Sequence, residues 1–291
     1  MTIRCERREN SLESLKTALV LEGGAMRGMY TAGVLDEFME NGIEFDAVIG
    51  VSAGALFGVN YLSKQVGRAI RYNKKYNKDK DYMGLRPLIR EGNIICTEYA
   101  YVRVPRELEP FDDETFMKST VPFYAVISNV ETGKPEYVRI QSVFEQMDTL
   151  RASGSMPYVS KPVLINGKKY LDGAVTDSIP FDYMLDNGYD RVVVVLTKRK
   201  GYVKHAVPAW LSNLFYKRDY PLFAHAAANR HVMYQNEMKR LRELEAAGVA
   251  KVIQTDKRIW VRKTEKNPRR MEALYQIGRA DARKFVEKVE N

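Results

Sequence analysis

Twice before residue 65, a short apolar run ends in a glycine-rich turn and passes at once into sequence with helical spacing. Residues 17–21 (TALVL) lead into EGGAMRG, and the stretch 29–39 that follows puts Val34, Leu35 and Phe38 on one face. Residues 45–49 (FDAVI) close on GVSAG, and a second helix runs on through Leu62; Asn41-Gly42 stops the first. Strand, turn and helix repeated in this order require parallel strands, because the chain must cross back over the sheet to begin each new strand, and that crossover is right-handed. The expected fold class is therefore α/β, with a mainly parallel sheet.

The rest of the chain extends the pattern. Residues 122–129 (PFYAVISN) and 136–140 read as strands about the turn Thr132-Gly133-Lys134. A helix is expected from 142 to about 153, then an irregular loop, SGSMPYVSKP. Residues 163–165 and 169–171 flank Asn166-Gly167, a strong hairpin signal. A helix over 179–186 and a central strand over 191–196 (RVVVVL), buried on both faces, come next. The last third carries a long helix over about 222–247, a strand near Val252 and a terminal helix from 271 to about 289. Residues 64–92, basic and rich in tyrosine, read as a surface excursion with one or two short helices. With no internal repeat and no long linker, the expected organisation is a polar tail over 1–16, a core over 17–200, and a mainly helical extension over 201–291 packed on the same domain.

Composition narrows the function. The chain has 291 residues, 45% of them apolar, and no run of about 18 apolar residues that would cross a bilayer as a helix. The N-terminus lacks the apolar stretch of a secretory signal, and Cys5 and Cys96 form no paired motif. With three histidines besides, a metal site is not expected, nor is any cofactor. A cytoplasmic location is the simplest expectation. A net charge of +9 favours anionic partners or simply keeps the protein soluble; no nucleic-acid module accompanies it, so none is expected as partner.

Three motifs carry chemistry. GVSAG has the GxSxG form of a nucleophile elbow, in which Gly50 and Gly54 let the chain turn sharply and raise the Ser52 hydroxyl at the end of a strand. Such a pentapeptide arises by chance in about one chain in ten of this length, so its strand–turn–helix setting matters more than its letters. A plain turn with a capping serine is the competing reading. GGAMRG fails the phosphate-loop pattern, because Met29 and Tyr30 follow Gly28, and fails the dinucleotide pattern at Ala25. What remains is a row of backbone N–H groups at a helix N-terminus, suited to a fixed anion or to a transient oxyanion, or else an ordinary turn. LDGAVTDSIP places Asp172 before Gly173, either to accept a proton from serine or to cap its own turn. His205, His225 and His231 stand in no comparable context.

The order GGAMRG, GVSAG, LDGA resembles the patatin-like phospholipases, whose GGGxRG loop, GxSxG elbow and DG[AG] motif occur in this order; SGSMPY is similar to their small-residue stretch before the aspartate. The resemblance covers about residues 17–200. It implies a three-layer α/β/α sandwich and a Ser52–Asp172 dyad without histidine. Amides of Gly23, Gly24 and Ala25 would form the oxyanion hole, with Arg27 fixing the loop and Gly28 admitting the helix close to the strand. It also implies an acyl ester lipid as substrate. Ala25 replaces the family's third glycine; if that position needs positive φ, the cost is about 1 kcal/mol or more.

Two segments are candidates for peripheral contact with an anionic membrane. In residues 64–92 these are Lys64, Arg68, Arg71, Lys74, Lys75, Lys78 and Lys80, with a solvated charged face as the more ordinary reading. In residues 210–216 (WLSNLFY) a lid or interfacial role competes with core packing, the favoured reading. Beside ester hydrolysis, the same acyl-serine chemistry would serve an acyltransferase or thioesterase, and a catalytically silent protein of the same fold is a third possibility.

Overall fold

The structure is a computed structural model that describes residues 15–258 and 260–290. Cys5 and all but the last two residues of the 1–16 tail lie outside the described residues. The chain opens with β1 (Thr17–Leu21), α1 (Met29–Glu40), β2 (Ala47–Val51) and α2 (Ala53–Leu62), followed by α3 (Arg68–Tyr76), α4 (Leu85–Glu91) and α5 (Asp113–Lys118). Next come β3 (Phe123–Asn129), β4 (Pro135–Ile140), α6 (Met147–Ser153), β5 (Val163–Ile165), β6 (Lys168–Asp172) and α7 (Phe181–Asp186). The last elements are β7 (Arg191–Val195), α8 (Ala209–Ser212), α9 (Pro221–Ala246), β8 (Ala250–Ile253) and α10 (Pro268–Glu290).

All eight strands form one sheet in the order β5-β6-β3-β2-β1-β7-β8, with β4 also paired to β3. The five strands from β3 to β8 along that path run parallel, as the repeated crossovers demand. Their residues alternate between two helical layers. Leu19, Leu21, Val48 and Val193 pack with α1, α2, α3 and α10, whereas Ala18, Val20, Ile49 and Val194 pack against α7 and α9. Both faces are covered, which is why the central strands β1, β2 and β7 carry apolar residues in unbroken runs and not at every second position. The fold is the expected three-layer α/β/α arrangement with a mainly parallel sheet.

Register at β3 decides where the site lies. β2 runs parallel beside its first half, ending with Val51 opposite Val126. β4 follows the other edge, with Tyr137 opposite Val126 and Glu136 opposite Ile127. Antiparallel β6 therefore takes over the β2 edge, starting with Asp172 opposite Ile127. Two strand ends meet head-on along one edge.

Several expectations shift. The second strand starts two residues later than FDAVI and reaches Val51, and the helix expected from 142 begins only at Met147, after a turn that Gln146 closes. The 64–92 segment carries two short helices as expected, and α4 is largely exposed, but α3 is not a surface excursion. On α3 the lysines face outward, but Ile70, Tyr72 and Tyr76 are core residues. Arg68 is buried and donates to Asn60 Oδ1 (2.9 Å) and Glu109 O (2.6 Å), so it is not free for a lipid headgroup. The 210–216 segment is divided: Ser212 and Tyr216 are buried, while Trp210, Leu214 and Phe215 are exposed. Sequence reading also missed an irregular, π-type helix over Tyr99–Leu108, which contains Pro105. Among the described residues no helix is long and apolar enough to cross a membrane.

The outer helix α10 is tied to α1 by buried charge. Glu37 accepts from Arg279 (2.8 Å) and Arg283 (3.0 Å), which hold its carboxyl below the usual range against the opposing effect of burial. A second buried carboxyl group behaves in the opposite way. Glu237 of α9 accepts from the Ser178 N–H (2.9 Å) and lies against Asp177, which accepts from the Tyr137 hydroxyl (2.7 Å). Burial and the neighbouring Asp177 push Glu237 well above the ordinary carboxylate range, so the folded protein keeps a proton there. The unfolded chain releases that proton above about pH 4.3, so stability falls as pH rises from there through the raised folded value. Glu237→Gln should flatten the fall, by up to about 1.4 kcal/mol per pH unit wherever the folded state still holds the proton. Urea unfolding at pH 5, 6 and 7 checks this; parallel slopes for the two proteins would contradict it.

Candidate active site

Ser52 sits between β2 and α2 with φ 55° and ψ −123°. A non-glycine residue pays strain in this region, and here the turn lifts the side chain above the carboxyl end of the sheet. Gly50 and Gly54 close-pack the turn, the latter against the carbonyl of Leu21. The Ser52 N–H donates to Ser153 Oγ (2.9 Å), and the Ser52 hydroxyl donates to Asp172 Oδ2 (2.8 Å). Both Ser52 and Asp172 are buried.

Asp172 is held from all sides at the end of β6. Its N–H donates to Ser155 O (2.9 Å), its carbonyl accepts from the Ser128 hydroxyl (2.8 Å), and its Oδ1 accepts from the Ala174 N–H (2.9 Å). The turn-capping role and the serine-facing role are thus both filled, one by each carboxylate oxygen. Gly173 is required at this point: a Cβ there would lie 2.2 Å from the carbonyl of Val126.

The glycine loop closes the third side. A Cβ on Gly23 would stand 2.7 Å from that of Ser52, so only glycine allows the loop this near the hydroxyl. Among the described residues no acceptor takes the N–H of Gly23, Gly24 or Ala25. Ala25 has φ 49°, so the position does adopt the left-handed conformation that favours glycine. Arg27 donates to Val261 O (3.2 Å), which ties the loop to the segment before α10, and Gly28 lets α1 start against Ala53 and Phe57.

Residues 19–185 match the family described as patatin-like phospholipase, which is more than half of the chain. The chain belongs to that family. Residues 220–291 match a domain of unknown function, DUF6363. The chain is 30% identical over 187 residues to the uncharacterized protein YjjU of Escherichia coli K12, covering 62% of this chain and 52% of YjjU. It is 27% identical over 188 residues to the lysophospholipase nte1 of Aspergillus fumigatus (61% of this chain, 12% of that one). It is 24% identical over 180 residues to the probable lipid hydrolase 463L of invertebrate iridescent virus 6 (56% and 61%). It therefore spans about half the length of YjjU and a small part of nte1.

In this patatin-like chain two cavities meet at Ala25, Ser52, Met156 and Lys263. One is narrow and apolar, about 100 Å³, and runs between α2, α3 and the irregular helix past Phe57, Tyr72, Tyr101 and Val104. The other is polar, about 410 Å³. No histidine lines either cavity.

Sequence reading missed the residues that hold the glycine loop. Glu22, buried at the end of β1, accepts from the Thr197 N–H (2.6 Å) and from Lys198 Nζ (3.3 Å). The Thr197 hydroxyl lies 2.8 Å from Gly23 O. The one signal was a carboxylate directly after an apolar strand, a position that needs a buried partner. Ser153, which fixes the Ser52 N–H, lay inside the SGSMPY stretch without a role of its own.

Since Ala25 is held in the left-handed region, Ala25→Gly should raise the unfolding free energy by about 0.5–1 kcal/mol after allowing for glycine's larger unfolded-state entropy. Urea denaturation measures it. A clear loss of stability would show that the Ala25 methyl group packs usefully and that the strain is not felt.

Proposed function

We propose that this chain is a serine hydrolase of lipid acyl esters, with Ser52 as nucleophile and Asp172 as its proton acceptor. The observation that carries the reading is the 2.8 Å hydrogen bond from Ser52 Oγ to Asp172 Oδ2, beside a loop with unpaired N–H groups. In this reading Ser52 Oγ attacks the ester carbonyl carbon as its proton passes to Asp172. Negative charge gathers on the former carbonyl oxygen and is met by the amides of Gly23, Gly24 and Ala25. The Ser52 N–H is already committed to Ser153, so the loop supplies the donors. As the tetrahedral intermediate collapses, Asp172 returns the proton to the departing alkoxide, leaving acyl-Ser52. Water then attacks the acyl carbon, giving its proton to Asp172, which restores it to Ser52 and frees the carboxylic acid.

The apolar cavity supports an acyl group as the part of the substrate beyond the carbonyl, and the names borne by nte1 and 463L agree with a lipid ester. The fixed orientation of Asp172 supports its use without an imidazole. One oxygen is locked on Ala174, and the other is left for the serine proton.

Hydrolysis of p-nitrophenyl esters by the wild type, Ser52→Ala and Asp172→Asn tests the reading. Each substitution should lower kcat by at least about a thousandfold, as removal of triad members does elsewhere, with the melting temperature little changed. The side-chain amide introduced by Asp172→Asn would keep an oxygen for the Ala174 N–H, so the turn has no reason to open. Turnover by a folded Ser52→Ala protein at more than a tenth of the wild-type rate would end the proposal.

A further inference from the structure

The second cavity is built from charge. Arg27, Lys198, Lys204, Arg230 and Lys263 line it, against two carboxylates, Glu22 and Asp172. Both carboxylates are already engaged, Glu22 by Thr197 and Lys198 and Asp172 by Ser52 and Ala174. Among the described residues, Lys198 is the one cation of the five in an ion pair. Arg230 Nε is buried and has no hydrogen-bond partner among the described residues, a costly state for a polar N–H group. Lys204 rests over the ring of Tyr234, 4.3 Å from its centroid, and forms no ion pair among the described residues. Burial and the neighbouring cations push Lys204 down to about 6, so it carries little charge at neutral pH until an entering anion restores its proton, and they depress Lys198 and Lys263 as well. The chamber holds more basic than acidic side chains, both of its carboxylates are engaged, and it opens directly on Ser52.

We propose that the chamber is a subsite for an anionic headgroup bearing phosphate without a balancing ammonium, so that the residues after 197 select acidic lipid esters over zwitterionic ones. The ester that brings the headgroup in rests on the hydrolase reading above; anion binding by the chamber does not. The acyl group and headgroup of one substrate would lie on opposite sides of Ser52, since the two cavities join there. Phosphate suits the lining because its oxygens accept from several cations at once, and a guanidinium presents a fork to two of them. A quaternary ammonium would meet the same cations with no free carboxylate to balance it. Four of the five cations lie outside Arg27's motif loop: Lys198 and Lys204 follow β7, Arg230 belongs to α9, and Lys263 precedes α10. Arg230 and Lys263 fall in the region matching the domain of unknown function, to which this reading gives a task.

The test compares lysophospholipids of one acyl chain that differ in headgroup: a phosphate monoester, phosphoglycerol and phosphocholine. The wild type should favour the two acidic substrates over phosphocholine by at least about tenfold in kcat/KM, chiefly through KM. Arg230→Gln and Lys204→Gln should each bring that ratio toward one. A ratio near one in the wild type, or one that neither substitution moves, would overturn the subsite. Calorimetry on the full-length Ser52→Ala protein reads the chamber without catalysis, using glycerol 3-phosphate, inorganic phosphate and glycerol. Binding of glycerol 3-phosphate that weakens at least tenfold when Arg230→Gln is added supports the proposal even if no ester is turned over, and its absence counts against it. Equal affinity for inorganic phosphate together with a headgroup ratio of one would mark a free-anion site and overturn the headgroup assignment.

Discussion

One edge of β3 governs the arrangement of this protein. Parallel β2 occupies that edge as far as Val126, and antiparallel β6 occupies it from Ile127 onward. The two strands run toward each other, so the residue after β2 and the last residue of β6 must come together. Those residues are Ser52 and Asp172, and 2.8 Å separates their oxygens. A hydrogen bond between residues 120 positions apart is thus fixed by backbone ladders, and the side chains need little freedom to find each other. The close approach of Gly173 to Val126 shows how little space the junction leaves. Such placement on strands, backed by packed neighbours, gives two side chains the positional accuracy that loops alone supply poorly.

The glycine loop depends on the neighbouring strands in the same way. β7 lies beside β1, so Thr197 and Lys198 emerge next to Glu22 and Gly23. Burying Glu22 carries a desolvation cost that its pairing with Lys198 and Thr197 offsets, and the result is a loop whose amides are held free. The segment 261–263 braces the loop from outside, with Arg27 on Val261 O and the Met26 N–H on Lys263 O. The C-terminal part of the chain is therefore joined to the site and is not a separate appendage. Its β8 extends the sheet, its α10 covers α1, and its cations form one wall of the polar cavity.

How much of this was legible in the sequence follows from the range of the interactions. The layer order, the Asn166-Gly167 hairpin and the two strand–turn–helix units were readable, because each is written in consecutive residues. So was the position of Ser52 and Asp172 at strand ends, in turns that need glycine at fixed offsets. The α3 segment misled because its lysines outweighed a quieter signal: Arg68, Tyr72 and Tyr76 recur four residues apart and share the inward face. Pro105 hid the irregular helix, since proline in a helix interior ordinarily argues against one. Glu22, Ser153, Thr197, Arg230 and Lys263 were not legible as a group. Each matters through a partner or a cavity on another element, and no local pattern records that.

In the proposed mechanism aspartate alone activates Ser52. Mass spectrometry of the full chain after exposure to a fluorophosphonate probe tests it most directly. One adduct per chain is expected, mapped to Ser52, with labelling slowed at least about a hundredfold in a folded Asp172→Asn protein. An adduct on another residue, no adduct at all, or labelling of Ser52 at an unchanged rate without Asp172 would contradict it.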